Sequence, residues 1–102
     1  MFVFIYTAGP AWLAGKPVRE QPFFREHVRY MQQVFADKRL IMGGPFLDIQ
    51  GALGIFDVAS VAQADEIVAH DPAVLAKIFQ PHVHPWHVAF NRYPAQSSPS
   101  GA

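Results

Sequence analysis

The sequence predicts one small α+β domain, in which a four-stranded antiparallel sheet carries helices on one face. Two observations lead to this fold class. Segments with the apolar spacing of strands and of helices follow one another as strand, helix, strand, strand, helix, strand. In addition, 51% of the 102 residues are hydrophobic and only 16% are charged, which is more apolar material than the thin core of so short a chain can bury. We therefore expect a second copy of the chain to cover the free face of the sheet.

The N-terminal third predicts the first strand and the first helix. Phe2–Tyr6 are β-branched or aromatic and precede a turn, so they predict a strand, and its apolar residues on both faces place it centrally in the sheet. A loop from Gly9 to Gln21 follows. Pro22 fits the first turn of a helix. An apolar stripe with helical spacing continues from there through Phe24, His27, Val28, Met31, Val34 and Phe35.

Two strands and a broken helix are predicted for the middle of the chain. Residues 39–42 form the second strand, ended by Gly43-Gly44-Pro45, and residues 51–58 form the third. Ser60 is the expected N-cap of the next helix, with Gln63 completing a capping box. The inner face of that helix would be Val61, Ala64, Ile67 and Val68. A further short helix is expected to begin at Asp71-Pro72 and to carry Val74, Leu75, Ile78 and Phe79.

The last strand is predicted over Val83–Phe90, where Pro85 indicates an edge position or a bulge. The complete order of elements is the split βαβ pattern of ferredoxin-like domains. The domain is expected to span residues 1–93. Residues 94–102 hold no apolar side chain larger than alanine, so we expect a disordered C-terminal tail.

Composition narrows the classes of function. The formal net charge is zero and the pI is about 7.0, so the chain lacks the basic face of a nucleic-acid-binding protein. It has no cysteine, which excludes disulfides, thiol nucleophiles and cysteine metal sites. Its N-terminal run lacks a basic n-region, and no apolar stretch approaches the roughly 18–20 residues of a membrane span. We therefore expect a cytoplasmic protein that binds neither nucleic acid nor membranes.

His27 and Asp71 are the leading candidates for catalysis. His27 lies on the apolar face of the first helix, and a histidine that titrates near neutral pH is a natural general acid or base. A buried histidine needs a carboxylate partner to stay basic. Asp71 is the best candidate, because both helices of a ferredoxin-like domain lie on one face of the sheet. The alternatives are a core histidine with one hydrogen bond and an aspartate that only caps the helix at Pro72.

Other residues are candidates for lining a pocket. The Gly43-Gly44 backbone allows either the close approach of a ligand or a tight turn, and Pro45 follows it. Trp12, Phe46 and Trp86 are suited to lining a pocket for a planar organic molecule, although packing in a dimer is the favoured alternative for Trp86. No phosphate-binding or dinucleotide-binding loop is present, and no cofactor is expected.

His82, His84 and His87 form the candidate metal site. On a strand, His82 and His84 share a face, which is a workable geometry for two ligands. His87 would point the other way unless Pro85 introduces a bulge. The favoured interpretation is a strand rim with exposed histidines, so no metal is expected.

With these residues identified, the chain resembles the YCII-related proteins. The resemblance rests on residues 25–31, Gly44-Pro45, 51–58, 60–64, Asp71-Pro72 and 83–86. It implies a ferredoxin-like fold paired into a dimeric α/β barrel, with a histidine–aspartate active site that corresponds to His27 and Asp71. One branch of the family is similar to a dehydrochlorinase that removes chloride from a hydroxylated aromatic without a cofactor. An arginine is frequent three residues before the histidine of this family. Phe24 stands there, and the adjacent Arg25 is taken as a candidate substrate contact.

Three functional hypotheses follow. The leading one is a cofactor-independent lyase or isomerase, of a dehydrochlorinase-like kind, in which His27 moves a proton of a small organic substrate and Asp71 orients the imidazole. The second is a non-catalytic module that binds a small ligand or another protein through the same pocket. The third is a metal-dependent site at His82 and His84. In each case a homodimer or a higher homo-oligomer is expected.

Overall fold

The computed structural model describes residues 1–93, and the tail predicted for 94–102 lies outside the described residues. Its helices and strands, in chain order, are β1 (Phe2–Ala8), α1 (Phe24–Ala36), β2 (Leu40–Pro45), β3 (Ala52–Phe56), α2 (Val61–Ala69), α3 (Pro72–Leu75) and β4 (Phe79–Pro85). A short 3-10 helix, Val18–Glu20, lies in the loop before α1. The strands form one antiparallel sheet in the order β2-β3-β1-β4. The predicted ferredoxin-like α+β order is therefore present.

β1 lies in the interior of the sheet, between β3 and β4, as its two apolar faces predicted. Phe4 and Tyr6 point toward the helices and are 4% and 1% exposed. The ring of Phe4 lies over Gly54 of β3, where a Cβ atom would collide with it. Gly54 therefore lets a large ring lie flat on the sheet. The core around it consists of Val34, Phe56, Ala64, Ile67, Val68, Ala73, Ile78 and Phe79.

The opposite face of the sheet carries an apolar patch. Val3 pairs with Ile55 and Ile5 pairs with Leu53, so these four side chains are neighbours on one surface. All four are only half-buried in the single chain. We refer to Val3, Ile5, Leu53 and Ile55 as the outer patch. Among residues 1–93, no helix is long and apolar enough to cross a membrane.

The last strand differs from its prediction. It spans Phe79–Pro85 and pairs with β1 from Ala8↔Phe79 to Phe2↔Pro85, whereas the sequence predicted Val83–Phe90. The predicted limits were wrong because Pro81 and Pro85 both lie within the strand. β4 is an edge strand, and alternate residues of an edge strand turn their N–H groups away from the single neighbour. Pro81 and Pro85 are four residues apart and share that orientation, so neither removes a sheet hydrogen bond.

Strand β2 also differs, because Gly43-Gly44-Pro45 belongs to it instead of ending it. These residues pair with Gly54, Leu53 and Ala52 of β3. The irregularity of β2 lies earlier, as a register shift between Leu40 and Met42. The glycines therefore provide a stretch of edge strand with bare backbone, and of the two alternatives at Gly43-Gly44 the tight turn is wrong.

The helix boundaries were predicted with smaller errors. α1 begins at Phe24 instead of Pro22, because Phe23 takes a left-handed backbone conformation with φ 65°. Val61 is 46% exposed, so it does not belong to the inner face of α2. The Ser60 cap is present, since Ser60 Oγ accepts from the backbone N–H of Gln63 at 3.2 Å. α3 ends at Leu75, so Ile78 and Phe79 fall outside it, and Phe79 opens β4.

Candidate active site

Asp71 lies in the short connection between α2 and α3 and is 0% exposed. Its Oδ1 accepts a hydrogen bond from the backbone N–H of Ala73 at 2.9 Å, so it is the N-cap of α3, with Pro72 in the first turn as predicted. Because the cap uses Oδ1, the second oxygen is available for other partners. The orientation of that second oxygen is fixed by the backbone of α3.

Asp71 Oδ2 accepts two hydrogen bonds from other elements. His27 Nδ1, on α1, lies 2.6 Å from it, and the Tyr6 hydroxyl, on β1, donates to it at 2.9 Å. The sequence-predicted histidine and aspartate therefore meet, although 44 residues separate them. Tyr6 was not predicted. Its position in the sequence does indicate such a role, because a tyrosine that faces inward from a strand needs a hydrogen-bond partner for its buried hydroxyl.

The protonation of the group follows from its contacts. Burial, and next the negative charge of Asp71, raise the pKa of the Tyr6 hydroxyl far above its usual value of about 10. Tyr6 therefore remains a donor over the whole working pH range. A distance of 2.6 Å between His27 Nδ1 and a carboxylate oxygen requires a proton between them. In the neutral tautomer that carries this proton on Nδ1, Nε2 is unprotonated and can accept a proton.

Aromatic rings hold the His27 imidazole in place. Phe79 meets it edge-on, with ring centroids 5.0 Å apart and planes at 85°. Tyr6 and Phe24 lie at centroid distances of 5.8 Å and 6.2 Å. The side chain of His27 is 16% exposed while that of Asp71 is 0% exposed. The imidazole therefore separates the buried carboxylate from the surface of a cavity.

This cavity, of about 570 Å³, lies between α1 and the sheet. Three parts of the chain line it. α1 contributes His27, Phe24, Val28, Met31, Gln32 and Phe35, and β2 contributes residues 40–45. The other elements contribute residues that include Phe4, Tyr6, Trp12, Val18 and Phe79. Among the described residues, no Asp, Glu, Lys or Arg side chain lines it. Mostly apolar walls with one titratable imidazole are typical of a site for a small organic molecule.

The predicted substrate contacts divide into two groups. Trp12, Gly43, Gly44 and Pro45 line the cavity. Arg25 and Phe46 are not among the lining residues: Arg25 is exposed, and Phe46 donates its backbone N–H to Gly51 at 2.9 Å. Trp86 is 43% exposed and lies directly after β4, outside the cavity.

The loop that carries Trp12 is closed by Gln21, which the sequence pattern marks only as the end of the loop. Gln21 is 4% exposed. Its Oε1 accepts from Leu13 N–H at 2.8 Å, and its Nε2 donates to the carbonyls of Leu13 and Lys16 at 2.8 Å and 2.9 Å. Trp12 packs near Phe79 with ring centroids 6.2 Å apart. Its indole Nε1 is buried and has no hydrogen-bond partner among the described residues.

The histidines of β4 lie on the other side of the sheet. His82 and His84 pair with Ile5 and Val3, so they share the outer face, as expected for alternate strand residues. His82 Nε2 lies 3.1 Å from Thr7 Oγ1. The described part of the chain holds no group of three or more His, Cys, Asp or Glu placed to share a metal ion.

Comparison with known proteins settles the family. The model of the YCII-related domain matches residues 1–87. The chain belongs to the YCII-related family. It is also similar to the uncharacterized protein YjpA of Bacillus subtilis (strain 168), with 32% identity over 73 residues that cover 68% of this chain and 86% of YjpA.

A solved structure shares the fold of this YCII-related protein. It is the 5-chloro-2-hydroxyhydroquinone dehydrochlorinase TftG from Burkholderia phenoliruptrix AC1100, in complex with 2,5-dihydroxybenzoquinone. The two superpose with a TM-score of 0.64 and share 24% sequence identity, covering 85% of this chain and 94% of the other. At this level of identity the likeness establishes the fold.

Proposed function

We propose that this YCII-related protein is a small cofactor-independent enzyme, a lyase or isomerase that transfers a proton of a small organic substrate. The observation that carries the proposal is the His27–Asp71 contact of 2.6 Å at the wall of an apolar cavity. A histidine oriented by a buried carboxylate is a common arrangement for general acid–base catalysis.

The roles of the three polar residues follow from their protonation. His27 Nε2 takes a proton from the substrate and returns it, or passes it to a leaving group, later in the reaction. Asp71 holds the proton of Nδ1 and stabilises the imidazolium that forms. Tyr6 donates to the same Asp71 oxygen, so it keeps that oxygen in line with the imidazole. Trp12, Gly43, Gly44 and Pro45 would form the substrate walls.

The structural relative supports one reaction class in particular. TftG is a dehydrochlorinase, and its structure holds a quinone. Removal of hydrogen chloride needs a base for the proton and a site that lets chloride leave, and it needs no redox cofactor. A histidine base in an apolar cavity takes the proton. The C–Cl bond then breaks with its electron pair on chlorine, and chloride leaves to solvent through the open side of the cavity. A dehydrochlorinase-like elimination is therefore the reaction that we propose for the His27–Asp71 pair.

The protein is further proposed to work as a homodimer. The outer patch of Val3, Ile5, Leu53 and Ile55 would be buried by a second sheet packed face to face, as in a dimeric α/β barrel. Burial of such apolar side chains contributes roughly 25 cal/mol per Å² removed from water. The high apolar content of the chain supports this proposal, because a second copy would remove apolar surface from water.

The test measures proton transfer with and without the histidine. Wild type, His27→Gln and the control His87→Gln, an exposed histidine outside any strand or helix, are incubated with 5-chloro-2-hydroxyhydroquinone, and released chloride is measured by ion chromatography. Deuterium uptake from D₂O into hydroxyhydroquinone gives a second readout that needs no leaving group. Both rates should fall by about 10²–10⁴-fold in His27→Gln and stay unchanged in His87→Gln.

Two outcomes contradict the proposal. Equal rates in wild type and His27→Gln would remove His27 from the chemistry. No reaction above the buffer rate in any of the three proteins, together with equal binding of the ring compounds to wild type and His27→Gln, would favour the non-catalytic binding module. An amide-resolved NMR spectrum of each variant verifies that the fold is intact.

A further inference from the structure

The walls of the cavity exclude a charged ligand. Among residues 1–93 no Asp, Glu, Lys or Arg side chain lines the cavity, and its polar lining residues are Tyr6, Thr7, Trp12, His27 and Gln32. A carboxylate or phosphate that entered would lose its water without gaining an ion pair, which is costly in an apolar environment. Ligand recognition here must therefore rest on shape and neutral hydrogen bonds.

The buried charge of Asp71, on the side of His27 that faces away from the cavity, also disfavours charged ligands. Asp71 is fully buried and accepts hydrogen bonds at both oxygens, as a carboxylate anion does. Its negative charge repels an anion placed against the imidazole. A cation gains little from it, because Tyr6, His27 and the Ala73 N–H already occupy the two oxygens.

The shape of the cavity favours a flat ligand. Aromatic rings reach it from several elements: Phe4 from β1, Trp12 from the loop, Phe24 from α1 and Phe79 from β4. Gly43 and Gly44 of β2 present bare backbone on another side. A Cβ atom added at Gly44 would meet nothing within 4 Å, so the strand leaves open space there. Rings that pack by offset stacking or edge to face against a planar partner fit such walls.

One buried donor is unsatisfied. Trp12 lines the cavity, and its Nε1 has no hydrogen-bond partner within the described residues. A buried unpaired N–H costs about 1–3 kcal/mol, and such groups are rare enough to need an explanation. An oxygen of the ligand would satisfy this one after a small shift of the indole.

We propose that the cavity binds an uncharged planar ring that carries an oxygen acceptor, such as a phenol, a quinone or an aromatic amide, and that Trp12 Nε1 donates to that oxygen. The ring packs against the aromatic walls beside His27. This inference rests on the proposed function only in that it concerns the same cavity, because it predicts binding and not turnover.

The test uses four probes of nearly equal size: benzamide, benzoate, benzamidine and cyclohexanecarboxamide. At pH 8 the first three are planar and carry charges of zero, minus one and plus one, and the fourth is uncharged but not planar. Each is titrated into the ¹⁵N-labelled protein while the two indole N–H signals are followed. Trp12 reports on the cavity, and Trp86, which is 43% exposed and lies outside it, is the internal control.

Benzamide should shift the Trp12 signal and leave that of Trp86 unmoved. Benzoate, benzamidine and cyclohexanecarboxamide should each bind at least about tenfold more weakly than benzamide, a factor that corresponds to about 1.4 kcal/mol. Trp12→Phe should weaken benzamide binding several-fold. Phe keeps a smaller aromatic wall and lacks the N–H. A loss for benzamide that exceeds the loss for cyclohexanecarboxamide in the same variant would therefore be assigned to the hydrogen bond with the planar ring.

Several results would overturn the inference. These are benzoate or benzamidine binding as tightly as benzamide, cyclohexanecarboxamide binding as tightly as benzamide, no shift of Trp12 with benzamide at its solubility limit, or unchanged benzamide affinity in Trp12→Phe. The His27→Gln variant separates the binding proposal from the catalytic one. If this variant binds benzamide as wild type does and also has the same turnover as wild type, the proposed function is refuted and the ligand class is supported.

Discussion

Tyr6 and His27 hydrogen-bond to the same oxygen of Asp71, at 2.9 Å and 2.6 Å. One donor comes from the sheet and the other from α1, while the second oxygen of the carboxylate caps α3. A single buried side chain therefore joins a strand and two helices and at the same time orients the imidazole. Stability and site geometry are coupled at this residue, and its variants should separate the two.

Asp71→Ala should destabilise the fold strongly, by about 3–5 kcal/mol. It leaves the Tyr6 hydroxyl and the Ala73 N–H without their acceptor and removes the partner of His27. Asp71→Asn keeps the size and can still cap α3, so it should cost only about 1–2 kcal/mol. Its amide would donate to His27 Nδ1, which moves the imidazole proton to Nε2 and removes the base. Urea unfolding at pH 7 measures both variants, and equal losses in the two would contradict this assignment.

Alkaline pH should reveal the buried state of Tyr6. Its pKa is raised in the folded protein by burial and by Asp71, so its contribution to stability is complete below about pH 10. Above pH 10 the unfolded chain ionises while the folded one does not. The free energy of unfolding then falls by about 1.4 kcal/mol per pH unit from this group. Tyr6→Phe lacks this loss, so the stability difference between wild type and variant should shrink between pH 10 and pH 11.

Urea denaturation of both proteins at pH 8, 10 and 11 tests this expectation. Tyr30, whose pKa is also raised mainly by burial, is present in both proteins and cancels in the comparison. Parallel pH profiles would show that the Tyr6 hydroxyl is not held in its neutral form by the fold.

Gln21→Ala should loosen the loop that carries Trp12. The three hydrogen bonds of the Gln21 amide to the backbone of Leu13 and Lys16 are lost, at a cost of about 1–3 kcal/mol. The amide of Leu13 should exchange with D₂O faster, and benzamide should bind more weakly. Gln33→Ala is the control, because Gln33 is exposed and donates only to Asp37 on the surface. Equal exchange rates at Leu13 in the two variants would show that Gln21 does not hold the loop.

Ile55→Glu should convert the proposed dimer into a monomer. It places a charge in the outer patch, where a second sheet would otherwise bury apolar side chains. Leu75→Glu is the control, because Leu75 is 67% exposed on α3, away from the outer patch. Light scattering during gel filtration gives the mass of each variant. A wild type that runs as a monomer, or an Ile55→Glu variant with the wild-type mass, would refute the proposed dimer.

The sequence predicted the parts of the site that depend on local pattern. His27 stands out as a polar residue in an apolar helical stripe, and Asp71 as a cap before a proline. Tyr6 was missed because its partner is 65 residues away, and strand alternation alone does not identify a partner. The limits of β4 were missed because Pro81 interrupts a strand pattern unless the strand is known to lie at the edge. Gln21 was missed for a similar reason, since nothing in a loop sequence distinguishes an amide that binds backbone from one that is solvated.

The double use of Asp71 has an evolutionary consequence. The hydrogen bonds that Asp71 accepts from the Ala73 N–H and from Tyr6 stabilise the fold. His27, in contrast, contributes mainly to the candidate active site, through its imidazole. In a lineage that abandons catalysis, selection for a folded chain would retain the aspartate and release the histidine to drift. The residue at position 27, and not the one at position 71, would therefore be the more informative marker of which relatives of this protein carry out the proposed chemistry.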